Sequence, residues 1–383
     1  MSDILNNVVT KFKEKFNKEP TIYYSPGRIN FIGEHIDYND GFVMPAAINK
    51  GIYYAIAENG SESLNFISID FKDTLSIRIS DIKKSTSWKN YVLSVVNEFL
   101  LLNKKVKGFD CVFGGNIANG AGMSSSAAVE GGLAFAINEI NGFDLDRKDL
   151  ALLCQRAEHN FPGVMCGIMD QYANMFGKED HVILLDCKEV QNKYFKLDLN
   201  NYEVVLINSN VHHSLASSAY NERRKQCEEG LSVLQKEKGI ASFRDVKSIE
   251  ELNEVKDKMP AVVFKRCKYV VEEIHRTLEA GKLLEANDIQ TFGRLMYQTH
   301  YGLRDLYEVS CNELDFLVAE AEKDANVIGS RLMGGGFGGC TINLVEKDGV
   351  KKFVASVIEA YQKKFHIDAE YFEVSLEDGT HKI

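Results

Sequence analysis

Three features that mark other classes of protein are missing from this 383-residue sequence. It has no basic excess: 45 lysines and arginines stand against 55 aspartates and glutamates, and the net charge of −10 argues against a nucleic-acid-binding protein. It has no CxxC or zinc-binding spacing, since the two closest of its eight cysteines are twelve residues apart. It has no signal-peptide core and no apolar run long enough to span a bilayer. We therefore expect a reduced, cytoplasmic protein that binds neither nucleic acid nor a membrane.

The first half of the chain mixes strand and helix patterns. Short runs rich in Ile, Val, Tyr and Phe alternate with turn signals over residues 21–80, as expected for strands. Apolar residues then return at helical spacing over residues 88–102, 125–138 and 147–160. Because the two patterns interleave without a strict βαβ rhythm, the sequence predicts an α+β fold.

The length of the chain and a change in pattern indicate two domains. The chain is longer than one hydrophobic core usually organises, and its 45% hydrophobic and 26% charged residues are ordinary globular values. A strand pattern at residues 202–209 precedes a charged, helical stretch at 220–328. We therefore expect an N-terminal domain at residues 1–205 and a C-terminal domain at residues 206–383.

The segment "GAGMSSSAA", residues 120–128, joins a flexible loop to an alanine-rich helix. Its two glycines let backbone N–H groups point inward together, and its serines lie at a helix start, where unpaired N–H groups and the helix dipole favour an anion. The segment is not a Walker A motif, because it has no Gly-Lys-Ser/Thr, and it has Ser125 where the dinucleotide fingerprint needs a glycine. It predicts a phosphate-binding loop; the alternative is an ordinary helix capped by serine.

A second glycine-rich segment is "GSRLMGGGFGGCTINLV", residues 329–345, with five glycines within six residues. Each glycine held in one conformation costs about 0.5–1 kcal/mol more than alanine in regular structure. Five together indicate a backbone that must approach another group very closely, although a mobile hairpin loop is the alternative. Two such loops, neither of the usual nucleotide type, suggest a phosphate donor bound in an unfamiliar way.

Ionisable residues interrupt two segments that are otherwise suited to burial. The stretch "SPGRINFIGEHIDYNDG", residues 25–41, contains Arg28, Glu34, His35 and Asp37, and Asp170 lies in the apolar run "GVMCGIMDQ". A buried, ionised aspartate needs a cationic partner or hydrogen-bond donors to offset its desolvation, although a lone buried aspartate is more often a structural cap. These residues are candidates for a polar site inside the protein.

Together these segments resemble the galactokinase family of the GHMP kinases. The stretch "GRINFIGEHIDYNDG" is similar to the galactokinase signature, "GAGMSSSAA" to the second GHMP motif and "LMGGGFGGCT" to the third. Their order and spacing agree with the family, and the match extends from about residue 25 to about residue 345. The first motif is specific to sugar kinases of this group, whereas the other two identify only the superfamily.

The resemblance implies a two-domain α+β fold with the active site in the cleft between the domains. It also implies transfer of the ATP γ-phosphoryl group to the anomeric hydroxyl of D-galactose, which is the first committed step of galactose metabolism. The reaction would need Mg²⁺ with ATP as co-substrate, and we expect a monomer.

The resemblance also assigns roles to individual residues. Asp170 would be the catalytic base and Arg28 would stabilise the transferring group, while keeping Asp170 ionised. Sugar hydroxyls would be held by Glu34, His35, Asp37 and Tyr220. Mg²⁺ would be bound by Ser126 and Glu158, a donor set that this ion accepts. The nucleotide would contact Ser68, Gly120, Ala121, Gly122, Met123, Ser124, Ser125 and Ser126.

Two alternatives remain open at this point. Kinases of N-acetylgalactosamine share "GEHIDY", although the intact "DYNDG" favours galactose. Some relatives bind galactose and ATP without turnover and act as sensors, but they lose residues of the serine-rich loop. Here that loop is complete and Asp170 is present, which favours an enzyme.

Overall fold

The computed structural model describes residues 3–118, 120–212 and 216–383. Its α-helices are Asp3–Phe16 (α1), Trp88–Leu101 (α2), Ser125–Asn141 (α3), Arg147–Asn160 (α4), Met169–Phe176 (α5), Ala216–Lys238 (α6), Ile249–Asn253 (α7), Ala261–Glu285 (α8), Ile289–Gly302 (α9), Asn312–Lys323 (α10) and Val350–Phe365 (α11). Short 3₁₀ turns occur at Asp37–Asn39, Ile79–Asp81, Phe243–Asp245, Lys256–Lys258 and Lys347–Gly349. A π-helical turn, Leu303–Tyr307, follows α9.

The β-strands are Thr21–Asn30 (β1), Phe42–Val43 (β2), Pro45–Glu58 (β3), Ser63–Ser68 (β4), Asp73–Arg78 (β5), Phe109–Gly115 (β6), His181–Asp186 (β7), Gln191–Lys196 (β8), Tyr202–His212 (β9), Val327–Leu332 (β10), Gly338–Glu346 (β11), Glu370–Val374 (β12) and His381–Lys382 (β13). They form three sheets with the orders β13-β1-β3-β6-β4-β5, β10-β11-β9-β12 and β2-β7-β8. The combination of helices with mixed sheets confirms the predicted α+β class.

The first sheet separates two parts of the core. On β3, Ala55 faces α1, where it packs with Val8 and Phe12, whereas Tyr54 and Ile56 face the helices α2 and α3 on the other side. This division follows from the two-residue period of a strand, which sends successive side chains to opposite faces. The helical patterns over residues 88–102, 125–138 and 147–160 are confirmed as α2, α3 and α4.

The second sheet is covered on both faces in the same way. On β9, Val205 and Ile207 pack against α10 and α11, whereas Val204 and Leu206 pack towards Phe292 of α9. That second face also contacts apolar residues at the end of β1. The first motif is therefore held between the two sheets, at the centre of the molecule.

The third sheet was not predicted from the sequence. Strands β7 and β8 form an antiparallel hairpin, and β2 pairs with β7 through Phe42 and Asp186. In the described ranges, no helix is both long enough and apolar enough to cross a bilayer. The position of the domain boundary stays a prediction: β9 belongs to the second sheet, while β13, at the end of the chain, pairs with β1 of the first.

Candidate active site

The site is built around an ion pair between the buried Arg28 and the partly buried Asp170. Arg28 lies on β1 next to a bulge that begins at Pro26, and Asp170 lies in the first turn of α5. Arg28 Nε and Nη2 donate to the two oxygens of Asp170, each over 2.8 Å. Burial lowers the pKa of Arg28, but Asp170 and Glu34 outweigh it, so that the pKa lies above its usual value. The predicted cationic partner of Asp170 is therefore Arg28.

The serine-rich loop meets this ion pair directly. The Arg28 guanidinium donates to the carbonyl oxygen of Gly122, and the Arg28 backbone N–H donates to the carbonyl of Met123 over 3.1 Å. The Ser124 hydroxyl donates to Asp170 Oδ2 over 2.5 Å. Ser124 occupies the N-cap position of α3 with φ of +56° but its side chain makes no capping hydrogen bond with the described first turn. The alternative of an ordinary serine cap is therefore wrong.

The two glycine-rich loops lie against each other. A Cβ atom at Gly122, where φ is +72°, would lie 3.0 Å from the carbonyl oxygen of Met333. One at Gly334, where φ is +81°, would lie 3.4 Å from the backbone of Gly122. The predicted close approach of the second glycine-rich segment is thus present: it lies against the first loop and, more tightly, a Cβ atom at Gly336 would lie 2.2 Å from the carbonyl oxygen of Val309 and one at Gly338 2.1 Å from that of Val211. A side chain at Gly122 or Gly334 would strain the backbone because φ is positive, and one at Gly122 would also crowd the Met333 carbonyl.

Glu34 is held by an arginine from the second sheet. Arg331 on β10 is fully buried, and its Nη2 donates to Glu34 Oε2 over 2.7 Å. The same guanidinium donates to the carbonyl oxygens of Asn30, Phe31 and Leu332. A guanidinium with this many fixed acceptors holds the end of the first motif rigidly against the glycine-rich strand.

Asp37 lies against α5 and the segment before it. A Cβ atom at Gly167 would lie 2.2 Å from Asp37 Oδ2, so only glycine fits there. Burial first, and then the charges of Asp170 and Glu34, raise the pKa of Asp37 to about 7. Backbone N–H groups of Tyr38 and Met169 donate to this carboxyl group and partly oppose the rise. Asp37 is thus an acid group that titrates near neutrality.

We predict that Asp37→Asn increases stability at alkaline pH. Ionised Asp37 is unfavourable in the folded state, because its folded pKa of about 7 exceeds the ordinary 3.8. The wild type therefore loses stability relative to the variant as pH rises from 3.8 to 7, and the full difference is present above pH 7. Thermal unfolding of both proteins between pH 4.5 and 8.5 measures this; a melting-temperature difference that does not grow with pH would contradict it.

Glu158 on α4 completes the acidic side of the site. Burial and the charge of Asp170 raise the pKa of Glu158 to about 7, while a hydrogen bond from Ser126 opposes the rise. Gln171 Nε2 donates to Glu158 Oε2 over 2.8 Å, and the fully buried Glu130 has a pKa raised well above its usual value by burial and by Glu158. Buried carboxyl groups that lack a matching cation are chemically suited to a divalent ion.

Seven of the fifteen residues predicted for the site line one cavity. Those at its wall are Arg28, Glu34, His35, Asp37, Glu158, Asp170 and Tyr220, with Val164, Cys166, Met169, Gly334 and Gly335. The ring of Tyr220 on α6 packs against that of His35, with the centroids 5.1 Å apart and the planes tilted by 41°. Ser124 joins the group through Asp170, and Ser126 through Glu158. The structure therefore brings together predicted residues from β1, α3, α4, α5 and α6.

Ser68, like the predicted loop residues Gly120 to Ser126, is not among the residues that line this cavity. It lies buried at the end of β4, where its hydroxyl accepts a long hydrogen bond of 3.4 Å from the N–H of Phe71. A wider groove of about 550 Å³ lies between α11 and β12. Its lining mixes aliphatic with charged side chains and contains none of the residues predicted for the site, so it is not a candidate for the chemistry.

The sequence interpretation missed two buried residues that support the site. Arg331 received no role, although a charged residue between Ser330 and Leu332 in a strand is the same signal that drew attention to Arg28. Glu273 on α8 was also missed; it is fully buried and accepts the Gly33 N–H over 2.9 Å. Its burial could not be recognised from the sequence, because a glutamate in a charged helix ordinarily faces solvent.

Family models match three parts of the chain. The galactokinase galactose-binding signature matches residues 10–58, the N-terminal domain of GHMP kinases matches 90–178, and their C-terminal domain matches 280–363. The galactokinase of Clostridium acetobutylicum is 39% identical over the whole length of both chains. That of Thermotoga maritima is 41% identical over 94% of this chain and 99% of its own.

Solved structures agree with this relationship. The crystal structure of Lactococcus lactis galactokinase complexed with galactose superposes with a TM-score of 0.96, at 33% identity, over 99% of this chain and 100% of that one. The mevalonate kinase of Methanococcus jannaschii, at 19% identity and a TM-score of 0.64 over 94% of this chain and 99% of its own, shares the fold. With this fold, these motifs and these relatives, the chain belongs to the galactokinase family of the GHMP kinases.

Proposed function

We propose that this kinase transfers the γ-phosphoryl group of ATP to the anomeric hydroxyl of D-galactose in the cavity around Asp170. One observation carries the proposal: the Arg28–Asp170 ion pair lies between the serine-rich loop and the cavity lined by Glu34 and Asp37. A phosphoryl donor on the loop and a sugar in the cavity would meet at this pair. The Lactococcus lactis relative, which was crystallised with galactose, supports the choice of sugar.

Carboxylates and a phenol would hold the sugar. Glu34 and Asp37 can accept hydrogen bonds from sugar hydroxyls, and Tyr220 can contribute its hydroxyl and ring face from α6. Arg331 fixes Glu34, and the backbone N–H groups at Tyr38 and Met169 fix Asp37. A polyol would thus meet acceptors that are already oriented, which lowers the entropic cost of binding.

Asp170 would accept the proton of the attacking hydroxyl. Arg28 donates to both carboxyl oxygens of Asp170 and Ser124 donates to one of them, so the group that would take the proton is held in place. The guanidinium of Arg28 would also offset charge on the phosphoryl oxygens during transfer. Positioning and fixed charge are the main contributions that a protein makes to this type of reaction.

The nucleotide phosphates would lie on the loop from Gly120 to Ser126, against the first turn of α3, where unpaired N–H groups and the helix dipole favour an anion.

Ser126 and Glu158 would bind Mg²⁺. Within the described residues no cluster of three or more His, Cys, Asp or Glu side chains is arranged for a metal. A hydroxyl and one carboxylate still suit Mg²⁺, which completes its shell with phosphate and water and, when bound, neutralises charge on the phosphates. Ser68 would lie farther out, towards the nucleobase of ATP.

Two wider features belong to the same proposal. The eight cysteines, all within the described residues, are free thiols, which supports a reducing compartment such as the cytoplasm. The predicted division after residue 205 falls inside β9, and most of that strand would belong to the C-terminal domain; the cavity would then lie between the domains.

The test is a panel of sugars with Mg-ATP, scored for the rate and for the phosphorylated position. We expect D-galactose to be phosphorylated at carbon 1, with N-acetylgalactosamine and glucose much slower. Faster phosphorylation of N-acetylgalactosamine would show that this sugar, and not galactose, is the substrate. Binding of galactose and ATP without any product would instead indicate a sensor.

A further inference from the structure

A chain of buried hydrogen bonds leads from the ring of His35 to a cysteine on α6. Nδ1 of His35 lies 2.8 Å from Oη of Tyr38, which lies 2.9 Å from Oη of Tyr307. Oη of Tyr307 lies 3.2 Å from Sγ of Cys227. On the other side of the ring, Nε2 of His35 lies 3.1 Å from the carbonyl oxygen of Gly335. Both ring nitrogens of His35 are therefore engaged by the protein.

The direction of the first two hydrogen bonds follows from chemistry. A carbonyl oxygen can only accept, so Nε2 of His35 must carry a hydrogen. The ring is 3% exposed and packs between the rings of Tyr220 and Tyr307, with centroids 5.1 and 5.0 Å away. These surroundings favour the neutral ring, and burial lowers the pKa of His35 to about 4. In the neutral ring Nδ1 has only a lone pair, so the hydroxyl of Tyr38 must donate to it.

The remaining bonds are then determined in turn. Tyr38 has one hydroxyl hydrogen, which it gives to His35, so its oxygen accepts from Tyr307. Tyr307 has likewise used its hydrogen, and its oxygen accepts from the thiol of Cys227. All the hydrogen bonds of the chain thus run in one direction, from α6 through the π-helical turn to the first motif and on to the second glycine-rich loop.

We propose that His35 is a positioning residue, whose neutral ring with hydrogen on Nε2 holds the carbonyl of Gly335 at the wall of the sugar cavity. Gly335 neighbours Gly334, which lies against Gly122 of the serine-rich loop, and a Cβ atom at Gly335 would lie 3.6 Å from the ring of Tyr220. The ring of His35 thereby sets the position of the wall that faces the sugar. The role rests on the proposed function, since it concerns the galactose cavity.

The first experiment determines the tautomer without measuring activity. Nitrogen-15 NMR of the full-length wild-type protein at pH 7, with the His35 signals assigned by their loss in His35→Asn, distinguishes the two neutral tautomers from the imidazolium. We expect the neutral ring with hydrogen on Nε2. A ring with hydrogen only on Nδ1, or a doubly protonated ring, would overturn the inference.

The second experiment tests the direction of the chain. Tyr38→Phe removes the donor to Nδ1, so we expect His35 to lose its single tautomer and the KM for galactose to rise about tenfold or more, which corresponds to one lost polar contact. We expect kcat to change much less. Tyr307→Phe and Cys227→Ala leave the hydroxyl of Tyr38 in place, so the tautomer should persist in both. An unchanged tautomer and an unchanged KM in Tyr38→Phe would refute the proposal.

A matched control and the sugar assay separate the possible failures. Tyr301→Phe removes a hydrogen bond to Glu322 at an exposed site, and it should leave both the tautomer and the KM unchanged. If the wild type does not phosphorylate galactose, the proposed function fails whatever the tautomer is. If it phosphorylates galactose but His35 carries its hydrogen on Nδ1, only the present inference fails.

Discussion

Replacing Asp170 with asparagine should leave galactose binding nearly intact and lower kcat on the order of 10²-fold or more, the scale expected for loss of a general base. Asparagine keeps the shape of the side chain, and its oxygen can still accept one hydrogen bond from Arg28. It cannot take the proton of the attacking hydroxyl. Galactose binding by calorimetry and turnover by a coupled assay give the two quantities.

The structure offers a matched control for this substitution. Asp305 also forms a two-point ion pair, with Arg304, over 2.7 and 2.9 Å, but its side chain is 57% exposed. Asp305→Asn should change neither binding nor kcat, because an exposed ion pair contributes little. Near-normal turnover in Asp170→Asn would show that Asp170 is not the base, and the chemistry would then rest on Arg28 and the metal ion.

Replacing Arg331 with methionine should destabilise the protein by about 3–5 kcal/mol, because it leaves the carboxylate of Glu34 buried without its cation. Three backbone carbonyls lose a donor at the same time. We also expect the KM for galactose to rise, since Glu34 is no longer held against the cavity. Urea unfolding followed by fluorescence measures the first effect and steady-state kinetics the second.

A second substitution separates the two causes of that loss. The double variant Glu34→Gln with Arg331→Met has no unpaired charge at this site, so part of the lost stability should return. The weakened galactose binding should not recover. Arg304→Met, at a site where the arginine is 40% exposed, serves as the control and should change stability by less than about 1 kcal/mol. A wild-type unfolding midpoint in Arg331→Met would contradict the importance of the buried pair.

Much of the fold could be predicted from the sequence. The two-domain α+β GHMP kinase fold and the kinase activity are confirmed. They could be predicted because segments such as α2 and α3 have a long helical periodicity and because the motifs occur in the order found in the family. Strand β1 contains Pro26 and Gly27, two residues that ordinarily favour a turn. In the structure it is one strand, because its pairing with β3 is irregular between Pro26 and Arg28. A proline is tolerated at such a bulge, since its missing N–H is not needed for a regular ladder there.

The hairpin of β7 and β8 escaped prediction for a physical reason. Strand β8, "QNKYFK", is largely exposed, and only Phe195 is buried in it, so its sequence lacks the alternation that marks a half-buried strand. At the site, the family resemblance linked Arg28 to Asp170, whereas the partner of Glu34 could not be chosen from the sequence, because Arg331 lies 297 residues away along the chain. The roles assigned to individual site residues stay predictions.

A structure of the protein with galactose and a non-hydrolysable ATP analogue tests the central claim most directly. We predict that the carbon-1 hydroxyl lies within about 3 Å of the Asp170 carboxylate, with the γ-phosphate on the side of the loop from Gly120 to Ser126. A sugar bound with another hydroxyl at Asp170, or bound outside the cavity lined by Glu34 and Asp37, would contradict the account.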